Sequence, residues 1–306
     1  MTEPVKVAYV FPGQGAQWVG MGRDLYQNFD SAKAIFEQAD ATLGFPLSQL
    51  CFEGPEDELL QTVNAQPAIV TVSFACFEPS RSASAGLPSA SFVAGHSLGE
   101  YTALAAAGVL DFATTVYLAR ERGRLMHEAG QIVPGGMAAI IGFDEQLLAG
   151  VCAETGTRIA NINCPGQIVI SGAEDKLIKA MDLAKAKGAP RVIRLQVSGA
   201  FHTPLMQPAV DGMAKIIATL SFAEPAVPII GNTTAQPLTT AESVKEELLR
   251  QLCNCVQWQR SVEYMISNGV STFIELGPGK VLAGLIKRID KSVNIINIGG
   301  ADAIRG

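Results

Sequence analysis

The chain has 306 residues, a formal net charge of −6, and a composition that is 48% hydrophobic and 17% charged. This length and balance are typical of a soluble globular protein with one large domain or two. The acidic charge argues against general nucleic-acid binding, which needs a basic surface. It permits a small-molecule substrate, whereas an acidic protein partner would need a local basic patch.

The first predicted element is an apolar strand over residues 5–11, which enters a glycine-rich turn at 12–15. The apolar run is far too short for a signal peptide or a membrane span, so we expect a cytoplasmic protein. Short apolar runs then alternate with helical patterns to about residue 130, which predicts an α/β sheet. Helices are predicted at 66–77 and 111–129, and a loop at 81–89.

Residues 95–99 read Gly-His-Ser-Leu-Gly, between an apolar strand end at 91–94 and a helical segment at 100–107. A Gly-x-Ser-x-Gly between a strand and a helix is typical of a nucleophile elbow, whose tight turn requires glycine. The serine hydroxyl is then exposed at a helix N-terminus, where backbone N–H groups stabilise negative charge. We predict Ser97 as a nucleophile, and a plain structural turn is the alternative.

A second pattern begins at 133–136, where Val-Pro-Gly-Gly predicts a boundary. The following elements have the order β-α-β-β-α-β, with strands at 137–142, 158–163, 167–171 and 191–197, and helices at 144–154 and 173–187. This order predicts an inserted ferredoxin-like subdomain. We therefore divide the chain into a catalytic subdomain at 1–132 and 199–306 and a small subdomain at 133–198.

The chain then returns to the first pattern. Strands are predicted at 227–231 and 272–276, and helices at 243–251, 258–268 and 280–289. The turns at 13–15 and 277–280 are glycine-rich, but they lack the spacing of a dinucleotide fingerprint or a phosphate-binding loop. We interpret both as tight strand-to-helix turns, and we expect no redox cofactor.

A serine nucleophile needs a base, and the chain contains three histidines. His96 adjoins Ser97 in a sharp turn, where neighbouring side chains cannot easily face each other. His127 lies in a charged helical segment and is expected to be solvated or to contact another helix. His202 follows the predicted strand at 191–197, in the kind of loop where α/β folds place functional groups. By elimination, His202 is the predicted base.

Six cysteines show no Cys-x-x-Cys spacing and no partnering histidine cluster. The closest two, Cys253 and Cys255, are separated by one residue, which suits neither a zinc site nor an unstrained disulfide. We expect buried reduced thiols and no metal.

The motifs at 11–17 (FPGQGAQ), 95–100 (GHSLGE) and 200–202 (AFH) together resemble malonyl-CoA:acyl-carrier-protein transacylases, the acyltransferases of type II fatty-acid synthesis. The resemblance continues at 122–123, 163–167, 251–258 and 275–279, and it extends from residue 11 to residue 289. It implies an α/β fold with an α/β-hydrolase-like large subdomain. The ferredoxin-like insert would form the other wall of the active-site cleft.

The resemblance also implies roles for individual residues. Ser97 would attack the malonyl thioester, His202 would take its proton, and the backbone carbonyl of Gln251 would orient the imidazole. The backbone N–H groups of Gln14 and Leu98 would form the oxyanion hole.

The implied substrate contacts centre on Arg122, which would hold the malonyl carboxylate through two parallel hydrogen bonds. From the sequence alone, a surface cation is the better interpretation of Arg122, and the resemblance favours the clamp. Phe201 would limit the size of the acyl group. The remaining predicted substrate contacts are Asn161, Asn163 and Arg191.

Two positions depart from the family pattern. Cys255 stands where the family usually carries a proline, which would restrict the backbone near Gln251. Pro190 stands where a lysine often precedes Arg191, so the contacts to coenzyme A are less well supported than those to the acyl group.

The implied reaction transfers malonyl from malonyl-CoA to the phosphopantetheine thiol of acyl carrier protein by ping-pong kinetics. We expect a monomer that docks the carrier protein transiently through basic segments at 172–199 or 280–291, without nucleic-acid or membrane partners. Three alternatives stay open. The first is an acyltransferase serving a polyketide synthase. The second is a serine esterase or thioesterase with an acidic residue between Ser97 and His202. The third is a non-catalytic carrier-protein-binding module.

Overall fold

The computed structural model describes residues 5–83 and 86–305, in which the strands form two sheets. The larger sheet contains β1 (Lys6–Phe11), β2 (Ala90–Gly95), β7 (Ile229–Ile230), β8 (Pro237–Leu238), β9 (Val270–Leu276) and β10 (Asn294–Ile298). The smaller sheet contains β3 (Gly135–Ile141), β4 (Arg158–Cys164), β5 (Gln167–Ala173) and β6 (Arg191–Arg194).

The larger sheet has the order β10-β9-β1-β2-β7-β8, and its strands are parallel except for β8. β1 lies in the middle and is buried from Val7 onward, as the continuous apolar run of a parallel strand predicts. Phe11 lies opposite Gly95 in the β1–β2 register. The turn after β1 and the elbow after β2 therefore leave the sheet side by side.

The helices of this part of the chain pack on the larger sheet or on one another. They are α1 (Arg23–Asn28), α2 (Asp30–Leu43), α3 (Leu47–Glu53), α4 (Glu56–Leu60), α5 (Thr62–Ser82), α6 (Gly99–Ala106), α7 (Phe112–Ile132), α10 (Gln207–Ile217), α11 (Ala241–Gln251), α12 (Trp258–Ser267), α13 (Val281–Ile289) and α14 (Ala301–Arg305). A short 3₁₀ helix at Pro204–Met206 precedes α10. The long helices α5 and α7 pack along each other.

Two predictions for this part need correction. The predicted alternation of strands and helices before residue 130 is wrong, because α1 to α5 follow one another between β1 and β2 in the described part of the chain. The predicted loop at 81–89 is helical as far as Ser82. Residues 84 and 85 of that loop lie outside the described residues.

The smaller sheet is antiparallel with the order β4-β5-β3-β6. Its two helices are α8 (Glu145–Thr155) and α9 (Glu174–Ala186), and their apolar faces share one core with the sheet. The predicted β-α-β-β-α-β order is present, although the last strand ends at Arg194 rather than at residue 197. The fold class is therefore confirmed. The boundaries at 132/133 and 198/199 stay a prediction, and residues 1–4 and 306 lie outside the described chain.

A short backbone pairing joins β4 of the smaller sheet to the segment that precedes α12. Val256 donates its N–H to the carbonyl of Ala160 at 2.8 Å and accepts the N–H of Ile162 at 2.9 Å. An ion pair between Arg260 and Glu145, 2.8 Å apart, lies at the same junction. The family pattern carries a proline in the segment 255–256. In this chain, the backbone of that segment is hydrogen-bonded to β4 instead.

All six cysteines are free thiols, four of them buried and two half-buried. Within the described ranges, none of the helices has both the length and the apolar character needed to cross a membrane.

Candidate active site

The elbow is formed where β2 meets α6. Ser97 has a φ of 50°, in the left-handed region that a non-glycine residue rarely adopts. A Cβ on Gly95 would lie 1.9 Å from the carbonyl carbon of Gly99, and a Cβ on Gly99 would lie 2.1 Å from the oxygen of Phe11. The strand, the strained turn and the helix predicted around Ser97 are therefore all present, and both glycines are required by contact.

Ser97 and His202 lie within hydrogen-bond distance although 105 residues separate them. The Oγ of Ser97 is 2.8 Å from Nε2 of His202, and Nδ1 of His202 is 2.7 Å from the backbone oxygen of Gln251. Because a carbonyl only accepts, Nδ1 carries the proton and donates it to Gln251. Nε2 is then the acceptor for the hydroxyl of Ser97, which is the arrangement that a general base requires.

His202 is buried, with 4% of its surface exposed. Burial lowers the pKa of His202 to about 3, and the positive charge of Arg122 acts in the same direction. The hydrogen bond to Gln251 opposes both effects. The imidazole is consequently neutral at neutral pH and free to accept a proton.

Arg122 projects from α7 into the same site and is 1% exposed. Its guanidinium donates to Oε1 of Gln66 at 2.8 Å, to Oγ of Ser97 at 3.1 Å and to Oε1 of Gln251 at 2.7 Å. All three acceptors are neutral, and Nε has no partner among the described residues. The interpretation of Arg122 as a surface cation is wrong. It is a buried cation beside a hydroxyl, with donors suited to a carboxylate.

The two predicted oxyanion groups flank the elbow. Gln14 lies in the turn after β1, and Leu98 follows Ser97 directly. Neither backbone N–H donates to another group in the described part of the chain. A Cβ on Gly13 would lie 2.3 Å from the oxygen of His96, so the Gln14 turn packs directly on the elbow backbone. Both N–H groups are available to an external acceptor.

Residues of β4 contact the elbow from the smaller sheet. Nε2 of His96 is 2.8 Å from Oδ1 of Asn163 and 3.4 Å from Nδ2 of Asn161. The ring of Trp258 contacts His96 edge to face, with centroids 5.7 Å apart. The buried Oδ1 of Asn161 has no partner among the described residues. β4 therefore places polar side chains beside the elbow, and Oδ1 of Asn161 is the acceptor among them that is left unpaired in the described part of the chain.

The structure separates the two remaining predicted substrate residues. Phe201 precedes His202 and packs in the main core, with 5% of its surface exposed. Arg191 is exposed at the start of β6, where it pairs with Ile141. Its role as a substrate contact stays a prediction.

Sequence reasoning did not identify three residues that hold this site: Gln66, Glu100 and Asn232. Asn232 accepts the N–H of Ser97 through Oδ1 and donates through Nδ2 to the carbonyl of Gly95, both at 2.7 Å. Of these three residues, only Glu100 could have been noticed in the sequence, because it is a charged residue at the start of an otherwise apolar helix.

Comparisons with known proteins identify the family of this chain. The model of the acyl transferase domain matches residues 8–298. The malonyl CoA-acyl carrier protein transacylase of Bacillus subtilis is 44% identical over 304 residues, which cover 98% of this chain and 95% of the relative.

Two solved structures are similar throughout. The acyl-carrier-protein-S-malonyltransferase of Bartonella henselae has 41% identity and a TM-score of 0.95, and the match covers 98% of each chain. A malonyl-transacylase solved in complex with a type II polyketide synthase acyl-carrier protein has 38% identity and a TM-score of 0.94, again over 98% of each chain. The predicted resemblance is confirmed, and the chain belongs to the acyl transferase domain family and, within it, to the malonyl CoA-acyl carrier protein transacylases.

Proposed function

We propose that this protein transfers the malonyl group of malonyl-CoA to the phosphopantetheine thiol of acyl carrier protein through a malonyl-Ser97 intermediate. The observation that carries this proposal is the position of Arg122. A buried guanidinium with neutral partners lies 3.1 Å from the hydroxyl oxygen of Ser97. A malonyl thioester carries its carboxylate two carbons from the reacting carbonyl, so one acyl group can reach both residues.

In the first half-reaction the hydroxyl of Ser97 attacks the thioester carbonyl carbon while its proton passes to Nε2 of His202. The free N–H groups of Gln14 and Leu98 are the candidate donors to the oxyanion that develops. Collapse of this intermediate breaks the carbon–sulfur bond, and His202 returns the proton to the departing thiolate of coenzyme A.

The second half-reaction runs the same steps with another thiol. The pantetheine thiol gives its proton to His202 and attacks the ester carbonyl, and the bond to Oγ of Ser97 breaks. His202 then restores the proton to Ser97. The carbonyl of Gln251, 2.7 Å from Nδ1, stabilises the imidazolium that forms in both halves.

Arg122 supplies selectivity in this mechanism. In the substrate-free site its Nη2 donates to Ser97, and a malonyl carboxylate would replace the hydroxyl as the stronger acceptor. An acetyl group offers no anion, so the buried charge would stay uncompensated. Phe201 as the limit on acyl size, Asn161 and Asn163 as substrate contacts and Arg191 as a coenzyme A contact stay predictions.

The partner of His202 argues against the esterase alternative, because its Nδ1 bonds a backbone carbonyl where that alternative requires an acidic side chain. The polyketide alternative has a specific observation in its favour, since one similar malonyl-transacylase is bound to a polyketide carrier protein. It is our second candidate, with identical chemistry. The rate of malonyl transfer to fatty-acid and polyketide carrier proteins, measured side by side, would distinguish the two.

Carrier-protein docking is best supported at the C-terminal basic segment. In the segment 172–199, three of the six cations pair with acids: Lys185 with Asp182, Lys187 with Glu154, and Arg194 with Glu174. At 280–291, in contrast, Lys287 donates to backbone carbonyls, and Arg288 donates to a carbonyl and an amide. These acceptors are neutral, so the positive charge is retained for an acidic partner.

We therefore expect reversal of Lys287 and Arg288 to glutamate to raise the KM for carrier protein roughly threefold to tenfold. Added salt should raise the wild-type KM, because exposed charges are screened over ~8–10 Å at ordinary ionic strength. Acylation by malonyl-CoA, measured in the same variant, should be unchanged. The matched control reverses Lys185 and Lys187, whose charges are already paired. An unchanged, salt-insensitive KM in the first variant would show that docking occurs elsewhere.

We further propose that the protein works as a monomer in the cytoplasm. Six free thiols fit a reducing compartment. Sedimentation of the purified protein across a range of concentrations tests the monomeric state.

The transfer itself is tested by incubating the protein with labelled malonyl-CoA and adding carrier protein afterwards. We expect label on the peptide that contains Ser97, with release of coenzyme A before carrier protein is present. The label should then move to the carrier protein. Malonate formed in water faster than carrier protein is charged would favour a hydrolase, and transfer without a labelled protein would exclude the serine intermediate.

A further inference from the structure

Glu100 is a buried carboxylate at the start of α6 that no step of the mechanism uses. Its Oε1 accepts from the backbone N–H of Asn232 at 2.8 Å and from Nδ2 of Asn232 at 2.9 Å. Its Oε2 accepts from Nε2 of Gln251. Three N–H groups therefore point at its two oxygens, and Glu100 works here as an acceptor.

The two amides that contact Glu100 hold the site with their other ends. Oδ1 of Asn232 accepts the N–H of Ser97 at 2.7 Å. Oε1 of Gln251 accepts from Nη2 of Arg122 at 2.7 Å. The oxygen and the nitrogen of an amide side chain diverge from one carbon. The acceptors at the nitrogen end, here Glu100 together with the backbone carbonyls of Gly95 and Ser97, therefore fix where the oxygen points.

We propose that Glu100 is a positioning residue that sets the orientation of Asn232 and Gln251, and through them holds the Ser97 elbow and the Arg122 clamp. This inference rests on the proposed function. Glu100 is then the acidic residue of the site, and Gln251 lies between it and the imidazole of His202. The side chain of Gln251 bonds Glu100, while its backbone carbonyl bonds His202.

The charges around Glu100 fit this role. Burial lowers the pKa of Arg122, whereas the neighbouring groups Tyr101 and Glu100 raise it and so favour the charged guanidinium. Burial and the nearby carboxylate of Glu247 raise the pKa of Glu100 well above its ordinary value, and the hydrogen bonds from Asn232 and Gln251 act against them. Glu100 and the buried cation Arg122 therefore contact the same amide side chain, that of Gln251.

Glu247 provides a matched comparison. It is also buried, with 3% of its surface exposed, and it belongs to the same polar cluster. Its oxygens accept from the backbone N–H and the hydroxyl of Thr233. Within the described residues it makes no hydrogen bond to Ser97, His202 or Arg122. Loss of its charge should affect stability without disturbing the two amides.

The test is Glu100→Gln, which places an NH₂ group where only donors face it. One of the two amides must then turn or lose its bond. We expect the rate constant for acylation of Ser97 by malonyl-CoA to fall on the order of 100-fold. The preference for malonyl over acetyl should fall as well, because Oε1 of Gln251 is no longer directed at Arg122. Glu247→Gln should lower the melting temperature while leaving both quantities unchanged.

A fluorophosphonate that labels reactive serines gives a readout independent of the acyl substrate. Its rate of reaction with Ser97 should fall in Glu100→Gln and stay at the wild-type value in Glu247→Gln. A wild-type protein that reacts with this probe but takes no label from malonyl-CoA would contradict the proposed function and leave the positioning role measurable.

Two outcomes would overturn the inference. One is a Glu100→Gln variant with acylation rate and malonyl preference equal to those of the wild type. The other is equal losses in Glu100→Gln and Glu247→Gln, which would indicate a structural role only. If Glu100→Gln does not fold, Glu100→Asp decides, because it keeps the acceptor but shortens its reach. We expect a loss of about tenfold with the malonyl preference retained, and a wild-type rate would contradict the role.

Discussion

Ser97→Ala should take no label from malonyl-CoA, and His202→Ala should be acylated ~10²–10⁴-fold more slowly than the wild type. The first variant lacks the atom that forms the ester. The second lacks the only base within hydrogen-bond distance of that atom in the described residues, where Nε2 of His202 is 2.8 Å from Oγ. Mass spectrometry of the labelled protein and single-turnover kinetics would measure the two effects.

The matched control is His127→Ala. His127 lies on α7, and its ring contacts Gln131 on the same helix. It should therefore acylate at the wild-type rate. Near-normal turnover in His202→Ala, or loss of activity in His127→Ala, would remove the dyad assignment.

Arg122→Ala should lose malonyl transfer by about 10²–10³-fold, the effect of removing one partner of a buried, hydrogen-bonded charge pair. Acetyl transfer should be retained or improved, since an acetyl group does not use the guanidinium. The ratio of kcat/KM for malonyl-CoA to that for acetyl-CoA measures this selectivity. Retained acetyl transfer also reports that the variant is folded.

Two further variants separate charge from geometry at this position. Arg122→Lys keeps the charge but cannot serve Gln66, Ser97 and Gln251 from one planar group, so its selectivity should fall between alanine and wild type. Arg124→Ala is the control on the same helix, because Arg124 pairs with Glu121 and Glu128 at the surface. A malonyl preference that survives in Arg122→Ala would place the clamp elsewhere.

Local patterns were sufficient for several elements. The apolar run at 5–11 predicted β1, which spans Lys6–Phe11, and the elbow motif predicted the junction of β2 and α6. The β-α-β-β-α-β order of the smaller sheet also followed from alternation and helical periodicity. In these segments the side-chain pattern and the turn residues indicate the same local structure, so tertiary contacts reinforce it.

Other segments depended on packing. Helix α5 is predicted at 66–77, but it spans Thr62–Ser82 with two prolines inside. It packs against both α7 and α2, which the linear sequence does not show. The strand β10 and helices α1 to α4 were not predicted for a similar reason. Apart from the 14-residue α2 they are short, and their stability comes mainly from the core they cover.

The same division holds for the site. The sequence by itself determined the strained turn at Ser97, because glycines at 95 and 99 are required where backbone meets backbone. It also indicated His202 by elimination, and Arg122 through the family motif. Only the tertiary structure decided that Arg122 is buried beside Ser97 and that the backbone oxygen of Gln251 lies 2.7 Å from Nδ1 of His202. It alone revealed Glu100 and Asn232, which meet although 132 residues separate them. Side-chain periodicity reports which face of an element is buried, whereas the partner of a buried polar group depends on how distant elements pack.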